Sequence, residues 1–492
     1  MGTSLGALAA SAAGAAVPGL DAHQEHSFHH DHILGTSLDV VLLGASATAT
    51  RNIERLVLAE MERLRTIFSP FDPTSEASRF SRSTGPVAIS ADLATVLRQY
   101  DAWQQLSGGA CSAQLGEIGQ LWFEAQTRGV EPSPEALAEG VRRIAAPGWH
   151  LTAHQAFRTG RASLNLCSVA KGYAIGRAVE VVRNAYPELP SVLINLGGDL
   201  GGWGSWLVAV QDPQRPHENA IPLTTLHLRD QAVATSGGYQ RGYRVADRWY
   251  SHLLDPRTGT PAREVLSATV VAPTSLVANA LATILGVLSP EEGLRLIGRI
   301  AGAECLLVTA GGGVLRSRGL AALEVGATQE AGSEEKKPQK KAAWPENREV
   351  GIALEVIKPA SSRRYRRPYV AVWIEDADGT AVRTVAVWGN ASRWLPTMSG
   401  WWKVARGNGP LIKAVTRATR APGSYRIVWD GKDDAGKPLP RGTYTVKVEV
   451  HREHGKHLFQ TGKIVCEDED ARITLEKNAE MGETVVEYVK RK

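Results

Sequence analysis

The chain has 492 residues, 43% of them hydrophobic and 22% charged, with a formal net charge of +5. At roughly 100–200 residues per domain this is a globular protein of two or three domains, not a disordered chain. So small a cationic surplus, spread along the sequence, leaves no nucleic-acid footprint, and no later apolar run is long enough to span a bilayer.

The opening run GTSLGALAASAAGAAVPGL (2–20) is small and apolar, and no Lys or Arg precedes Arg51. It is similar to the h-region and cleavage end of a secretory signal that lacks its basic n-region. Residues 1–32 are therefore expected to be a signal-like or disordered segment of a periplasmic or otherwise exported protein. The HSFHHDH stretch (His26, His29, His30, His32) has metal-ligand residue types, but its position beside the presumed cleavage region favours a tail.

Helical spacing marks ATATRNIERLVLAEMERLRTIF, LATVLRQYDAWQQLSG and PEALAEGVRRIAA. Between them lie strand-like runs, among them LDVVLL, SVLINLGG, WLVAVQD, AVAT, SATVVAP and CLLVTA. The mixture predicts an α+β domain over 33–325. The next stretch, GATQEAGSEEKKPQKKAAWP (326–345), is charged and Pro-punctuated, with almost no large apolar residue before Trp344; 326–347 reads as a linker. From 348 to 492 the pattern is nearly pure β, with two alternating runs around an Asp-Gly turn in YVAVWIEDADGTAVRTVAVWG. An immunoglobulin-like sandwich is expected, and the basic SSRRYRRPYV run reads as a solvated strand edge. Cys111, Cys167, Cys305 and Cys466 show no paired spacing, which argues against a CxxC metal or redox site. Cys167 is expected to be a small buried filler in a strand.

Chemistry concentrates at 232–259, AVATSGGYQRGYRVADRWYSHLLDPRTG. A turn built from Thr235, Ser236, Gly237 and Gly238 would offer hydroxyls and unshielded N–H groups to an anion. SHLLDP brings His252 and Asp255 within reach of it. In NLGGD the glycines Gly197 and Gly198 permit close backbone approach beside Asp199. Lys171, read as following an apolar strand, places an ammonium where a phosphate could be neutralised.

Six segments in order, FSPFDPTSEASRF (68–80), LNLCSVAKGYAIG (164–176), VLINLGGDLGGWG (192–204), ATSGGYQRGY (234–243), SHLLDPRTGTP (251–261) and ANALAT (278–283), resemble the periplasmic flavin transferase family (ApbE type). The resemblance implies an α+β flavin transferase (ApbE-like) domain that moves FMN from FAD onto a Ser or Thr of an acceptor protein and releases AMP. It implies FAD contacts from Thr36 beside Gly35, Phe71 as a ring stacked on the flavin, Lys171, Gly197, Gly198, Asp199, Thr235, Ser236, Gly237 and Tyr239. His252 would be the general base, oriented by Asp255, and Asn279 with Thr283 would hold Mg²⁺.

Three family acids are neutral in this chain. Within LNLCSVAKGYAIG, Asn165 stands for the Asp of the family's DLxxIAKG and Gly176 for that of AKGYAVD, and Asn279 stands where the family's ADALAT carries Asp. The metal site is therefore expected to be weaker. The implied acceptor is a flavoprotein with a D-x-x-S/T-G-A-T motif; VGAT (325–328) lacks the Asp and the first hydroxyl, so self-modification is not expected. The C-terminal segment resembles the β domain often appended to flavin transferases, and its VWDGKDDAGKPLPRGTYTVKVEV block resembles the module of flagellar hook-capping proteins. The alternative function is a catalytically weakened FAD-binding protein with the β domain as an interaction module. An adhesion or structural protein would explain the second domain alone.

Overall fold

The computed structural model describes residues 25–152, 155–160, 162–215, 222–239, 241–325, 344–345, 347–358, 366–389, 395–405, 419–452 and 456–491, together with the backbone of short strands at 9–12 and 416–417. Apart from that strand at 9–12, the signal-like segment before 25 lies outside the described residues, as do most of the linker and part of the basic run (359–365). The chain divides into two compact units.

The first unit is built on one eight-stranded sheet. Its strands are β1 (Glu25–Ile33), β2 (Thr36–Leu43), β3 (Ser191–Leu196), β4 (Asp199–Trp203), β5 (Ala232–Gly237), β6 (Val265–Ala272), β7 (Glu304–Thr309) and β8 (Val314–Arg316). They lie side by side in chain order, and the neighbours run antiparallel. Alternation sets the faces: Leu38, Val40 and Leu42 of β2 are fully buried while the residues between them are less so, the period-two pattern of a strand with one core face.

The helices α1 (Ala47–Phe68), α2 (Glu76–Ser81), α3 (Ala91–Leu106), α4 (Gly116–Arg128), α5 (Pro134–Ala145) and α6 (Cys167–Ala185) form one long insertion between β2 and β3. α7 (Ser275–Val287) and α8 (Pro290–Ile297) join β6 to β7. The three helical sequence patterns correspond to α1, α3 and α5, each opened by a serine whose side chain accepts a backbone N–H, the usual N-cap device. α7 is apolar on nearly every face and buried from Ala278 through Leu285 except Thr283, as a helix hydrophobic all round should be. α6 crosses it with no side chain between: a Cβ added at Gly172 would lie 2.4 Å from the Ser275 carbonyl oxygen. Ser275 Oγ donates to the Gly172 carbonyl at 2.8 Å. Backbone contact of this kind is what glycine permits, and it sets Gly172, next to Lys171, against Asn279.

The second unit holds two sheets. One has the order Gly423–Trp429, Arg348–Val356, Thr484–Lys490, Ala471–Leu475; the other has Thr416–Arg417, Ala381–Trp388, Tyr369–Glu375, Gly442–His451, His457–Cys466. Residues from both, such as Ile352 and Val486 against Val372 and Val448, share one core, so the unit is the two-sheet β domain its alternation predicts. A short helix, Ser399–Ala405, interrupts the all-β pattern. The fully buried Glu449 accepts the backbone N–H groups of Gly400 and Trp401 at its start.

Three sequence expectations need correction. HSFHHDH is not a tail but part of β1: His29 hydrogen-bonds Asp39 at 2.6 Å and His30 hydrogen-bonds Glu54 at 2.7 Å. Trp344, assigned to the linker, is 6% exposed and packs on Trp429, with its indole N–H on the Arg348 carbonyl. LNLCSVAKGYAIG is mostly helix rather than strand, and Cys167 is the exposed first residue of α6, not a buried filler. Local apolarity suits either element, and only length separates them.

Candidate active site

Four elements converge on one buried carboxylate. The β3–β4 hairpin turns on Gly197 and Gly198, whose φ values are +59° and +96°, the left-handed conformation that two-residue hairpins require. Asp199 follows directly and is 2% exposed. The Lys171 Nζ from α6 lies 2.6 Å from Asp199 Oδ2, Asn279 Nδ2 from α7 donates to the same oxygen at 2.9 Å, and the Thr235 backbone N–H from β5 also donates to this carboxylate. Burial pushes the Asp199 carboxyl above the usual carboxylate range against the opposing pull of these donors, with Lys171 first among them. Lys171 retains further protons for an anion, since an ammonium has three.

The glycine turn does not offer its N–H groups to a ligand. Gly197 N–H donates to the Ser37 carbonyl and Gly198 N–H to Asn195 Oδ1, both at 2.9 Å. The need for glycine at 197 comes from Thr36, whose Oγ1 would lie 2.2 Å from an added Cβ. Thr36, Gly197 and Gly198 thus place Asp199. Likewise Thr235, Ser236 and Gly237 are not a turn but the end of β5, paired with Thr269, Ala268 and Ser267 of β6. Thr235 Oγ1 meets Thr269 Oγ1 at 2.9 Å, and Ser236 Oγ lies 3.4 Å from Thr283 Oγ1. The turn begins at Gly238, and Tyr239 folds back over Gly237, its hydroxyl donating to Gln211 at 3.1 Å.

His252 sits just after the strand Arg248–Ser251. Its Nδ1 lies 3.0 Å from the Arg241 carbonyl oxygen. A carbonyl can only accept, so Nδ1 carries the proton and Nε2 keeps its lone pair. Burial pushes the imidazole down to about 4, and the positive charges of Arg241 and Lys171 act in the same direction. The ring is a neutral base held by the backbone.

Asp255 does not orient it. Both carboxylate oxygens of Asp255 face Arg257, at 2.8 to 3.1 Å, and its carbonyl accepts the N–H of Gly259 at 2.7 Å. The DPRTG segment is a self-contained turn, held also by Trp122, whose indole donates to the Gly259 carbonyl. The residue that does orient His252, Arg241, acts through its carbonyl, and no side-chain type announces such a role. Phe71 is 91% exposed, so it is not a core ring, and no ring contact holds it among the described residues. Asn165 Oδ1 accepts the Cys167 N–H at 3.1 Å, serving the start of α6. Gly176 faces Ser275, with an added Cβ in ordinary contact at 3.4 Å.

The residues present do not fit Mg²⁺. Asn279, expected as a metal ligand, is 4% exposed; its Oδ1 accepts the Gly172 N–H at 3.2 Å and its amino group is on Asp199. The Thr283 hydroxyl donates to the Asn279 carbonyl at 3.3 Å. Among the described residues no three His, Cys, Asp or Glu side chains come together to hold a metal.

An antiparallel sheet backed by packed helices thus carries, at its strand ends and loops, a Lys–Asp pair on a buried carboxylate and a neutral histidine. Residues 34–307 match the family described as the ApbE family, and the chain belongs to it. Residues 351–483 match a second family, described as "Predicted periplasmic protein (DUF2271)". Among curated relatives, the FAD:protein FMN transferase of Haemophilus influenzae is 27% identical over 281 residues, covering 53% of this chain and 80% of its own. That of Chlamydia trachomatis is 30% identical over 260 residues, covering 50% and 77%. Among solved structures, the ApbE protein of Thermotoga maritima superposes with a TM-score of 0.56 at 26% identity, covering 61% of this chain and all of that one. The apo flavinyl transferase ApbE of Pseudomonas stutzeri gives 0.53 at 21% identity, which supports the fold. No helix among the described residues is long and apolar enough to cross a membrane.

Proposed function

We propose that the first unit transfers FMN from FAD to a Ser or Thr of an acceptor flavoprotein and releases AMP. The observation that carries this reading is the tautomer of His252: with Nδ1–H fixed on the Arg241 carbonyl, the Nε2 lone pair is left as the proton acceptor. In the reaction the acceptor hydroxyl oxygen attacks the FMN phosphorus and forms the new O–P bond. The pyrophosphate O–P bond to the AMP half breaks, AMP leaves, and the hydroxyl proton passes to His252 Nε2.

Negative charge that spreads over the phosphate oxygens during transfer would meet Lys171, whose position Asp199 and Asn279 fix. In this reading Thr36, Thr235, Ser236 and Tyr239 would contact the FAD, and the exposed ring of Phe71 would offer a face for the isoalloxazine. The names of the curated relatives support the same substrate. We further propose that the acceptor carries a D-x-x-S/T-G-A-T sequence and that the protein works in the periplasm, in keeping with the description of the second family. The two units would act as domains of about 33–325 and 344–492, the second serving as a docking or interaction module.

The test is incubation of the purified full chain with FAD and an acceptor flavoprotein bearing that sequence, followed by flavin fluorescence of the denatured acceptor. Covalent flavin on the acceptor is expected from the wild-type chain, and His252→Ala should lower the rate by roughly 10²-fold or more while FAD binding persists. Wild-type transfer that His252→Ala leaves unchanged would overturn the mechanism. FAD bound but never transferred would favour a flavin-binding role.

A further inference from the structure

The cluster at Asp199 is charge-compensated without a metal. Its carboxylate accepts three donors: the Lys171 ammonium at 2.6 Å, the Asn279 amide at 2.9 Å and the Thr235 backbone N–H. Two neighbours with opposite requirements hold the Asn279 amide in place. Its oxygen faces the Gly172 N–H at 3.2 Å and its nitrogen faces a carboxylate, so a flipped amide would set donor against donor and acceptor against acceptor. All of this lies where α6 and α7 touch backbone to backbone.

Mg²⁺ demands oxygen ligands at about 2.0–2.1 Å in near-octahedral array, usually with one or two carboxylates. This site supplies one carboxylate, already bound by an ammonium, and an amide whose oxygen points into the helix contact. The nearby hydroxyl, Thr283 Oγ1, gives its proton to the carbonyl of Asn279. A dication at Asp199 would also be repelled by Lys171 at close range in a buried setting, where Coulomb terms are large. With an acid at 279, two carboxylates would face each other and an added cation would relieve their repulsion. The amide removes that need.

We propose that this chain supplies the positive charge for its anionic substrate from Lys171 and takes no divalent cation at Asp199, Asn279 and Thr283. The identity of the anion rests on the flavin-transfer reading, whereas the exclusion of the cation rests on the donor set alone.

Mn²⁺ serves as the probe, its free aquo signal followed by electron paramagnetic resonance during titration with the full chain. The titration is made with and without FAD and corrected for Mn²⁺ held by FAD itself, and FAD binding is measured separately by calorimetry in EDTA. The wild-type protein should show no stoichiometric Mn²⁺ site and an FAD affinity that EDTA does not change. Asn279→Asp should gain one Mn²⁺ per chain, with at least a tenfold rise in affinity. Lys171→Met, which frees the Asp199 carboxylate without adding a second acid, should gain it as well and covers the case in which Asn279→Asp does not fold.

One Mn²⁺ per wild-type chain, lost in Thr283→Val, would overturn the proposal, as would FAD binding that EDTA abolishes. Absence of both Mn²⁺ and FAD binding in the wild-type chain would overturn the flavin reading while supporting the metal-free site.

Discussion

His252 donates its Nδ1–H to the backbone carbonyl of Arg241 at 3.0 Å, and Arg241 N-terminally adjoins the hairpin Gly242–Val245/Arg248–Ser251 that delivers His252. The base and its orienting group thus flank one antiparallel hairpin. A carboxylate partner would raise the imidazole pKa by stabilising its charged form; a carbonyl fixes the tautomer with less of that effect.

The pH profile of transfer should show this. Burial, reinforced by the Arg241 and Lys171 charges, holds His252 down to about 4 from its ordinary value of 6.5. A lowered pKa means the ring stays neutral, and so competent as a base, as the pH falls through 6.5. The acid limb of kcat/KM, which reports the free enzyme, is therefore expected nearer pH 4 than pH 6.5. Steady-state rates from pH 4 to 8 check it, and a limb centred at 6.5 would show a solvated imidazole.

Asp255 should behave as a structural residue. Its carboxylate grips Arg257 in a fork and its main chain closes the DPRTG turn. Asp255→Asn keeps the shape but loses the charge-assisted pair, which for hydrogen bonds to charged groups is worth about 1.5–3 kcal/mol. Thermal unfolding should register that loss, while the acid limb of the kcat/KM profile stays where it is. A moved limb would tie Asp255 to the histidine after all.

Much of this was legible in the sequence because it depended on residue type and spacing. The apolar spacing Ile53, Val57, Met61 and Leu64 marked α1, and the alternation around Asp376–Gly379 marked a hairpin of the second unit. The family resemblance, rather than spacing, implied Lys171, Asp199 and Thr235 as FAD contacts and Asn279 as a metal ligand; the four meet at the Asp199 carboxylate, with Asn279 as a donor to it. What failed was the partner of each group. Asp255 lies three residues from His252 in sequence, yet a turn points its carboxylate at Arg257. Gly197 and Gly198 were expected to bring their backbone close to FAD, yet Ser37 and Asn195 take their N–H groups. Direction in space follows from tertiary packing, which spacing alone does not encode.

The two units should separate on cleavage. Each has its own core, and the sequence between them carries GSEEKKPQKK (332–341), which is rich in charge and poor in apolar groups. Limited trypsin digestion is expected to cut at Lys336, Lys340 or Lys341 and leave two resistant fragments, the smaller retaining Trp344. Removing that tryptophan from the smaller unit, by Trp344→Ala, should cost about 3–5 kcal/mol of its stability, because its ring packs against Trp429, Tyr444 and Tyr488. A single resistant core with no cut near 336–341 would contradict the division.

The crossing of α6 and α7 is the mechanical basis of the site, and Gly172 is where it is most exposed to challenge. An added Cβ there would fall 2.4 Å from the Ser275 carbonyl oxygen, 2.8 Å from Asn279 Cβ and 2.9 Å from Leu276 Cα. Two of these three atoms are backbone, so the helices must move apart. Overpacking of this kind typically costs about 1–3 kcal/mol, offset in part by the better helix propensity of alanine, about 1 kcal/mol. Moving α7 away also stretches the Gly172 N–H to Asn279 contact at 3.2 Å and the Asn279 to Asp199 contact at 2.9 Å. Gly172→Ala should therefore lose FAD affinity by more than its modest change in unfolding midpoint would imply. Gly176→Ala, one turn further on, where an added Cβ meets Ser275 Oγ at an ordinary 3.4 Å, should leave affinity unchanged and gain slightly in stability. Calorimetric FAD titration of both variants beside their melting curves decides it: equal affinities would mean that the helix crossing does not set the geometry of the cluster at Asp199.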